Sequence, residues 1–333
     1  MNVIKLEQTK NSLVGEIIKL EFFNDYIFVQ DESFQGLLIF DIEGNFVKTF
    51  NKQGKGPGEY MSFRDFIIDT ENNTIEVFDK PNNKILVYDV SDFGFKGSFS
   101  VPVEFVFRFI KNKSVYYFQT NGMQNKINDK YTNSDIIAFN TRTLELTPLF
   151  DRDTPSSNQF LEFSNVFYKN DDDEIFVSLA WEQTVYHVYD NHIYPVIIIN
   201  PGDRGVPKSI LEGSPDDKLN FIFSGAGKNK IGGFRLLFYQ DNCIILAYGM
   251  GNSTKQLLFF SFQGGVNSFA TNMIVNDLST VKLPDIDVFK VSNNEIISVI
   301  YPFDIENKQI LDNLNLSKND NPSIIKYKLK INI

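Results

Sequence analysis

An all-β, six-bladed β-propeller with four antiparallel strands per blade is the fold this sequence predicts, and three observations predict it. Aromatic residues make up 14% of the 333 residues, with 33 Phe and 14 Tyr, and such side chains favour pleated, half-buried strands. Short apolar runs alternate with Asn, Asp and Gly turns along nearly the whole chain, the pattern of many short antiparallel strands. Those runs recur in groups of four, and recurrence of this kind marks a repeat architecture in which each sheet buries its faces against its neighbours.

The first unit reads Gly15–Leu20, Tyr26–Asp31, Gly36–Phe40 and Phe46–Phe50. Its last two strands are joined by Asp41-Ile42-Glu43-Gly44-Asn45, a hairpin turn in which the glycine can take positive φ. The second unit repeats it as Phe63–Asp69, Thr74–Asp79, Lys84–Tyr88 and Phe95–Phe99, with Val87-Tyr88-Asp89 echoing Ile39-Phe40-Asp41. The third is Phe105–Ile110, Val115–Gln119, Asp135–Asn140 and Glu145–Phe150. The fourth is Ser164–Lys169, Glu174–Ala180, Thr184–Tyr189 and His192–Ile199. The fifth is Gly233–Tyr239, Cys243–Tyr248, Lys255–Ser261 and about Val266–Asn272.

The last unit has only three strands, Asp287–Val291, Glu295–Tyr301 and Ser323–Leu329, and Asn2–Leu6 supplies the missing one. A sheet completed from both ends of the chain leaves no open edge to aggregate. The blades then run about 15–50, 63–100, 104–150, 163–200, 231–272 and 286–330, with a closing strand at 2–7, in a single domain over 1–333. Insertions near Asn121–Asn133, Asn200–Lys230 and Asp304–Asn321 fall between strands. Only Pro207–Asn220 has helical spacing.

Composition narrows the function. A formal net charge of −10 repels nucleic acid and anionic lipid, so no nucleic-acid partner is expected. No apolar run is long enough to span a bilayer, and Met1–Glu7 carries no apolar stretch of a signal peptide. The lone Cys243, in the run Cys243-Ile244-Ile245-Leu246, reads as a buried structural thiol. His187 and His192 are the only histidines, so no zinc quartet can be assembled, and neither a metal nor a cofactor is expected. Asp171-Asp172-Asp173-Glu174 lacks the spacing and glycine of a calcium loop and reads as a solvated turn. No Gly-x-Ser-x-Gly elbow is present, and Ser224-Gly225-Ala226-Gly227 has no base partner in view. The 42 Asp and Glu residues leave a distant carboxylate pair open.

Three segments carry a family resemblance: Gly54-Lys55-Gly56-Pro57-Gly58-Glu59-Tyr60, Asp41-Ile42-Glu43-Gly44-Asn45-Phe46, and Asn321-Pro322-Ser323-Ile324-Ile325-Lys326-Tyr327-Lys328-Leu329. They resemble the glycine-rich loop, the Asp-x-x-Gly-x-aromatic hairpin and the C-terminal strand of NHL-repeat-like six-bladed propellers abundant in gut bacteria. The resemblance implies the propeller fold and export to the cell envelope, in the periplasm or as a lipoprotein. The function of that group is mostly unassigned. The loop lacks the Gly-Lys-Ser/Thr ending of a phosphate cradle and runs from strand to strand. Gly54, Gly56, Pro57, Gly58, Glu59 and Tyr60 therefore read as a structural crossover, Glu59 accepting hydrogen bonds from turn amides.

Binding candidates come from the opening strand of each unit. Ile18-Lys19, Phe63-Arg64, Phe107-Arg108, Phe167-Tyr168, Phe234-Arg235 and Phe289-Lys290 each place a cationic or polar residue after an apolar one. Successive strand residues point to opposite faces. With the apolar member packed between blades, Lys19, Arg64, Arg108, Tyr168, Arg235 and Lys290 would line the mouth of the central channel and favour an anionic ligand. The competing reading pairs each cation with Asp31, Asp65 or Asp79 to tie blades together. Tyr60, Tyr168, Tyr239 and Trp181 are aromatic candidates for stacking on sugars, or for blade packing.

The expectation is a monomeric, non-enzymatic binding or scaffold propeller for a small anionic or carbohydrate ligand or a protein partner. The alternative is a hydrolase or lyase acting on a glycan or peptide at the channel mouth.

Overall fold

The structure is a computed structural model, and it describes residues 2–153, 165–240, 243–250, 255–261, 267–271, 287–292 and 295–328. Among these residues lie six four-stranded antiparallel sheets and one two-stranded hairpin. Strand β1 (Asn2–Lys5) opens the chain. Blade one is β2 (Ile17–Phe23), β3 (Tyr26–Asp31), β4 (Leu37–Asp41) and β5 (Phe46–Phe50). Blade two is β6 (Asp65–Asp69), β7 (Thr74–Asp79), β8 (Lys84–Asp89) and β9 (Phe95–Ser100).

Blade three is β10 (Arg108–Asn112), β11 (Val115–Gln119), β14 (Ser134–Asn140) and β15 (Leu146–Asp151), with the hairpin β12 (Asn125–Ile127) and β13 (Lys130–Thr132) inserted. Blade four is β16 (Phe167–Lys169), β17 (Ile175–Ser178), β18 (Thr184–Tyr189) and β19 (His192–Ile198). Helices α1 (Lys208–Leu211) and α2 (Pro215–Phe223) follow. Blade five is β20 (Ile231–Gln240), β21 (Cys243–Met250), β22 (Lys255–Ser261) and β23 (Asn267–Thr271). Blade six contains β24 (Asp287–Ser292) and β25 (Glu295–Ile300), then helix α3 (Lys308–Leu314) and β26 (Ser323–Lys328).

The chain ends meet as the strand count requires. In blade six the order is β1-β26-β25-β24, and Val3 pairs with Ile325 and Ile4 with Ile324. Asn321 fastens this junction. Its Oδ1 accepts from the Val14 amide at 3.0 Å, and its Nδ2 donates to the carbonyls of Glu7 and Ser12.

The blades fall into two compact units, one of Met1–Pro102 with Met273–Ile331 and one formed mainly by Val103–Asn272. Within the first, Ile4, Leu6, Leu20, Ile27, Phe40, Val299 and Ile324 form one buried cluster between blades six and one. Phe28, Phe50, Tyr60, Phe66, Val77 and Tyr88 form another between blades one and two. Within the second unit, Tyr117, Ile136, Phe167 and Val177 join blades three and four. Phe176, Val185, Phe234 and Leu246 join blades four and five. Each fully buried side chain of this size contributes about 1.5–3 kcal/mol, so packing between sheets holds each unit together.

Strand limits differ from the expected ones where a turn intervenes. The second blade opens at Asp65 rather than Phe63, because the Phe63 amide is diverted to the Gln35 side chain at 3.0 Å. The third opens at Arg108 rather than Phe105, since Phe105 sits at a φ of 53°, outside the extended region. The insertions hold structure that periodicity missed, namely β12–β13 and α3, the latter capped by the Asn307 side chain. Cys243 is half-buried rather than fully buried, and burial pushes its thiol up.

Candidate functional site

In every blade the connection between its second and third strands and the crossover to the next blade leave from the same strand ends. All three insertions lie at those ends, between β11 and β14, between β19 and β20, and between β25 and β26. Loops tolerate variation while sheets hold geometry, so the loop-rich strand ends are where a site can be built.

The opening strands carry the sequence-predicted cations, but backbone pairing separates them. The fifth residue of the second strand is Gln30, Phe78, Gln119, Ala247 and Val299 in blades one, two, three, five and six. Their cross-strand partners are Lys19, Asp65, Arg108, Arg235 and Asp287. Three predicted cations therefore share one rung with two aspartates. Arg64 lies just before β6, Tyr168 pairs with Phe176 and Lys290 pairs with Ile297. Bulges between Ile17 and Lys19, between Leu236 and Phe238, and between Val288 and Lys290 insert residues that a sequence count cannot see.

Lys19 is engaged. Its ammonium lies 3.0 Å from the Asp65 carboxylate, donates to the Phe66 carbonyl, and sits 5.1 Å from the Phe66 ring centroid. Asp65 is only 1% exposed and Lys19 17%, so the pair ties blade one to blade two. Beside it the buried Gln30 amide donates to the Arg64 carbonyl at 3.4 Å.

Arg64 and Lys80 flank the β6–β7 hairpin at its loop-rich end, since the Arg64 amide bonds the Phe78 carbonyl at 3.1 Å. Burial, and then the Arg64 charge, lower the proton affinity of the Lys80 ammonium. The intervening Asp79 is 1% exposed. Its carboxylate accepts from the Met61 and Ser62 amides and from Asn82 at 2.7–3.2 Å. Asp31 serves the crossover entering blade one in the same way, accepting from the Gly15 amide at 2.6 Å and from Ser33. Lys80 was not legible as a site residue; its position after a strand-ending Asp was the available signal.

In the second unit Arg108 is part-exposed and Arg235 exposed. The Tyr168 phenol is pushed up to about 12 by burial, partly offset by a backbone hydrogen bond from Tyr239. Tyr168 and Tyr239 pack with Phe176 between blades four and five. Tyr60 is completely buried between blades one and two, so packing claims it. Trp181 is part-exposed on the β17–β18 turn.

The glycine-rich segment forms a closed crossover. Glu59 Oε2 accepts from the Gly56 amide at 2.7 Å, and Gly54 donates to the Tyr60 carbonyl at 2.9 Å. The Tyr60 hydroxyl donates to the Gln35 carbonyl at 2.9 Å and accepts from the Lys52 amide at 3.0 Å. Tyr88 donates to the Gly58 carbonyl at 2.9 Å. Gly58 has a φ of 74°, and a Cβ there would lie 2.6 Å from the Phe95 ring. Gly54 leaves the space that Glu59 occupies. The acidic run Asp171–Glu174 is the β16–β17 turn, built on Asn170 Oδ1 accepting from the Asp172 and Glu174 amides. Ser224 caps the end of α2.

Solved structures share this architecture. A Bacteroides fragilis protein described as a candidate exported protein is 16% identical, with a TM-score of 0.77 over 99% of this chain and 95% of that one. A member of the DUF4221 family from Bacteroides vulgatus is 11% identical, with a TM-score of 0.61 over 98% and 95%. The β-propeller domain of Cps50 (Swd1) from Myceliophteria thermophila is 8% identical, with a TM-score of 0.50 over 99% of both chains. At these identities the likeness establishes the fold, a six-bladed β-propeller, and not an activity. No curated protein matches the sequence. The domain of unknown function DUF4934 matches residues 1–328, nearly the full length, and the chain belongs to that family.

Proposed function

We propose that this protein is a non-enzymatic binding propeller that takes a small anionic ligand at the loop-rich end of blades one and two. One arrangement carries the reading: Arg64 and Lys80 flank one end of the β6–β7 hairpin, where the Arg64 amide bonds the Phe78 carbonyl at 3.1 Å, and burial, then the Arg64 charge, disfavour the lysine's own charge. An anion placed between them relieves that repulsion and receives charge-assisted hydrogen bonds from both.

The NHL-repeat-like kinship of the Gly54–Tyr60 loop and export to the cell envelope belong to this reading, the latter supported by the description of the Bacteroides fragilis fold neighbour. The test is a thermal-shift and calorimetric screen with phosphate, citrate and hexose phosphates against neutral oligosaccharides. Wild type is compared with Arg64→Ala/Lys80→Ala and with Arg64→Ala/Arg108→Ala. At about 100 times its Kd a ligand stabilises the folded state by about 2.7 kcal/mol, and the first double variant should lose most of that. An anion that stabilises wild type and Arg64→Ala/Lys80→Ala equally refutes the assignment.

A further inference from the structure

The chain's single tryptophan stands where a turn ordinarily requires glycine. The Glu182 amide bonds the Leu179 carbonyl at 3.3 Å, closing a turn whose third residue, Trp181, has a φ of 67°. That conformation is unfavourable for a bulky side chain and persists only where its surroundings impose it. The surroundings are cleared for it. Gly232 leaves the benzo edge of the indole at ordinary contact, a Cβ there lying 3.4 Å from Cζ3, and Gly233 lets the β20 backbone approach the Trp181 amide. Trp181 is nevertheless part-exposed as a residue.

Polar groups accompany the ring, one across space and two next in the chain. The Lys218 ammonium, on α2, lies 6.0 Å from the ring centroid. Helix α2 is held by a reciprocal cap between Ser214 and Asp217. On the chain after Trp181, Glu182 Oε2 accepts from the Tyr186 hydroxyl at 3.1 Å, and Gln183 is the next residue. A flat ring, a nearby ammonium and adjoining amide and carboxylate groups match an acidic pyranose. Its C–H face lies on the indole, its carboxylate or sulfate meets Lys218, and its hydroxyls meet Glu182 and Gln183.

We infer that Trp181, Lys218, Glu182 and Gln183 form a subsite for an acidic sugar residue, separate from the Arg64–Lys80 position. Because the chain has one Trp, its fluorescence reports directly on this ring. Wild type is titrated with a glucuronic-acid-containing tetrasaccharide and with neutral cellotetraose. The acidic sugar should give a saturable change in emission, and Lys218→Ala should weaken it about tenfold while leaving cellotetraose unaffected.

Trp181→Gly, followed by calorimetry, separates binding from packing, because glycine relieves the left-handed backbone. Binding should disappear while Tm stays within about 3 °C of wild type, and Trp181→Phe should keep part of the affinity. Three results overturn the subsite: no saturable change with the acidic tetrasaccharide, unchanged affinity in Trp181→Gly, or a fall in Tm of about 10 °C in that variant, which would make the ring part of the core.

Discussion

Replacing Gly44 by alanine should destabilise the protein by about 2–4 kcal/mol, because that residue is where the first strand of the chain crosses blade one. Gly44 has a φ of 94°, and a Cβ built on it lands within the van der Waals radius of the Lys5 carbonyl oxygen, next to Ile4. The backbone conformation alone costs an L-residue about 1–2 kcal/mol. The obstructing atom is main chain, so the strand must move. Movement weakens the Glu7 amide bond to the Gly44 carbonyl, 2.8 Å long, and the Phe46 amide bond to Glu7 Oε2, 2.7 Å long. A hydrogen bond of this kind contributes about 0.5–1.5 kcal/mol. Ile4 and Leu6, 4% and 3% exposed, resist the shift because each would surrender buried apolar area.

The assay is urea denaturation followed by circular dichroism, with stability taken from the midpoint at constant slope. Gly97→Ala is the control: it lies in β9, and nothing stands within 4 Å of where its Cβ would be. That variant should stay within about 0.5 kcal/mol of wild type. A Gly44→Ala cost no larger than the control would refute the close approach of β1 to the blade-one turn.

Lys19→Met should cost about 2–4 kcal/mol, since it leaves the nearly buried Asp65 without its ammonium. In a double-mutant cycle with Asp65→Asn the coupling should exceed about 1 kcal/mol, and additive effects would contradict the pair. Arg64→Ala should raise the proton affinity of Lys80 by removing one cause of its depression, read as slower acylation of that lysine near pH ~9; unchanged reactivity argues against their proximity. Tyr60, completely buried, has its phenol pushed from 10.0 to about 12, chiefly by burial. The folded state then keeps a proton that the unfolded state loses, so this contribution is intact below pH 10.0 and vanishes as pH rises towards about 12. Tyr60→Phe should therefore flatten the alkaline fall in stability by about 2–3 kcal/mol, and an unchanged profile would contradict that burial.

What sequence determined by itself was the strand inventory and its closure. Phe, Ile and Val in short runs, with turns of Asn, Asp and Gly such as Asp41–Asn45 between them, mark strands locally, and each sheet needs only its own neighbours. Counting three strands at one end and a spare at the other was enough to set Asn2–Leu6 beside Ser323–Leu329, and the structure supplies the register, Val3 with Ile325. Local signals also identified the Gly54–Tyr60 crossover, because positive φ at Gly58 is a property of the residue type.

Register and electrostatic partnership were decided only by tertiary structure. A β-bulge adds one residue without altering the apolar pattern, so spacing could not tell that Lys19 pairs with Gln30 past the Ile17–Lys19 bulge while Lys290 pairs with Ile297 rather than Val299. The partner of Lys19 is 46 residues away, and Lys218 reaches Trp181 from a helix in an insertion. Charge pairing depends on distance through space, and no local pattern encodes which of 42 acidic residues a given lysine will meet.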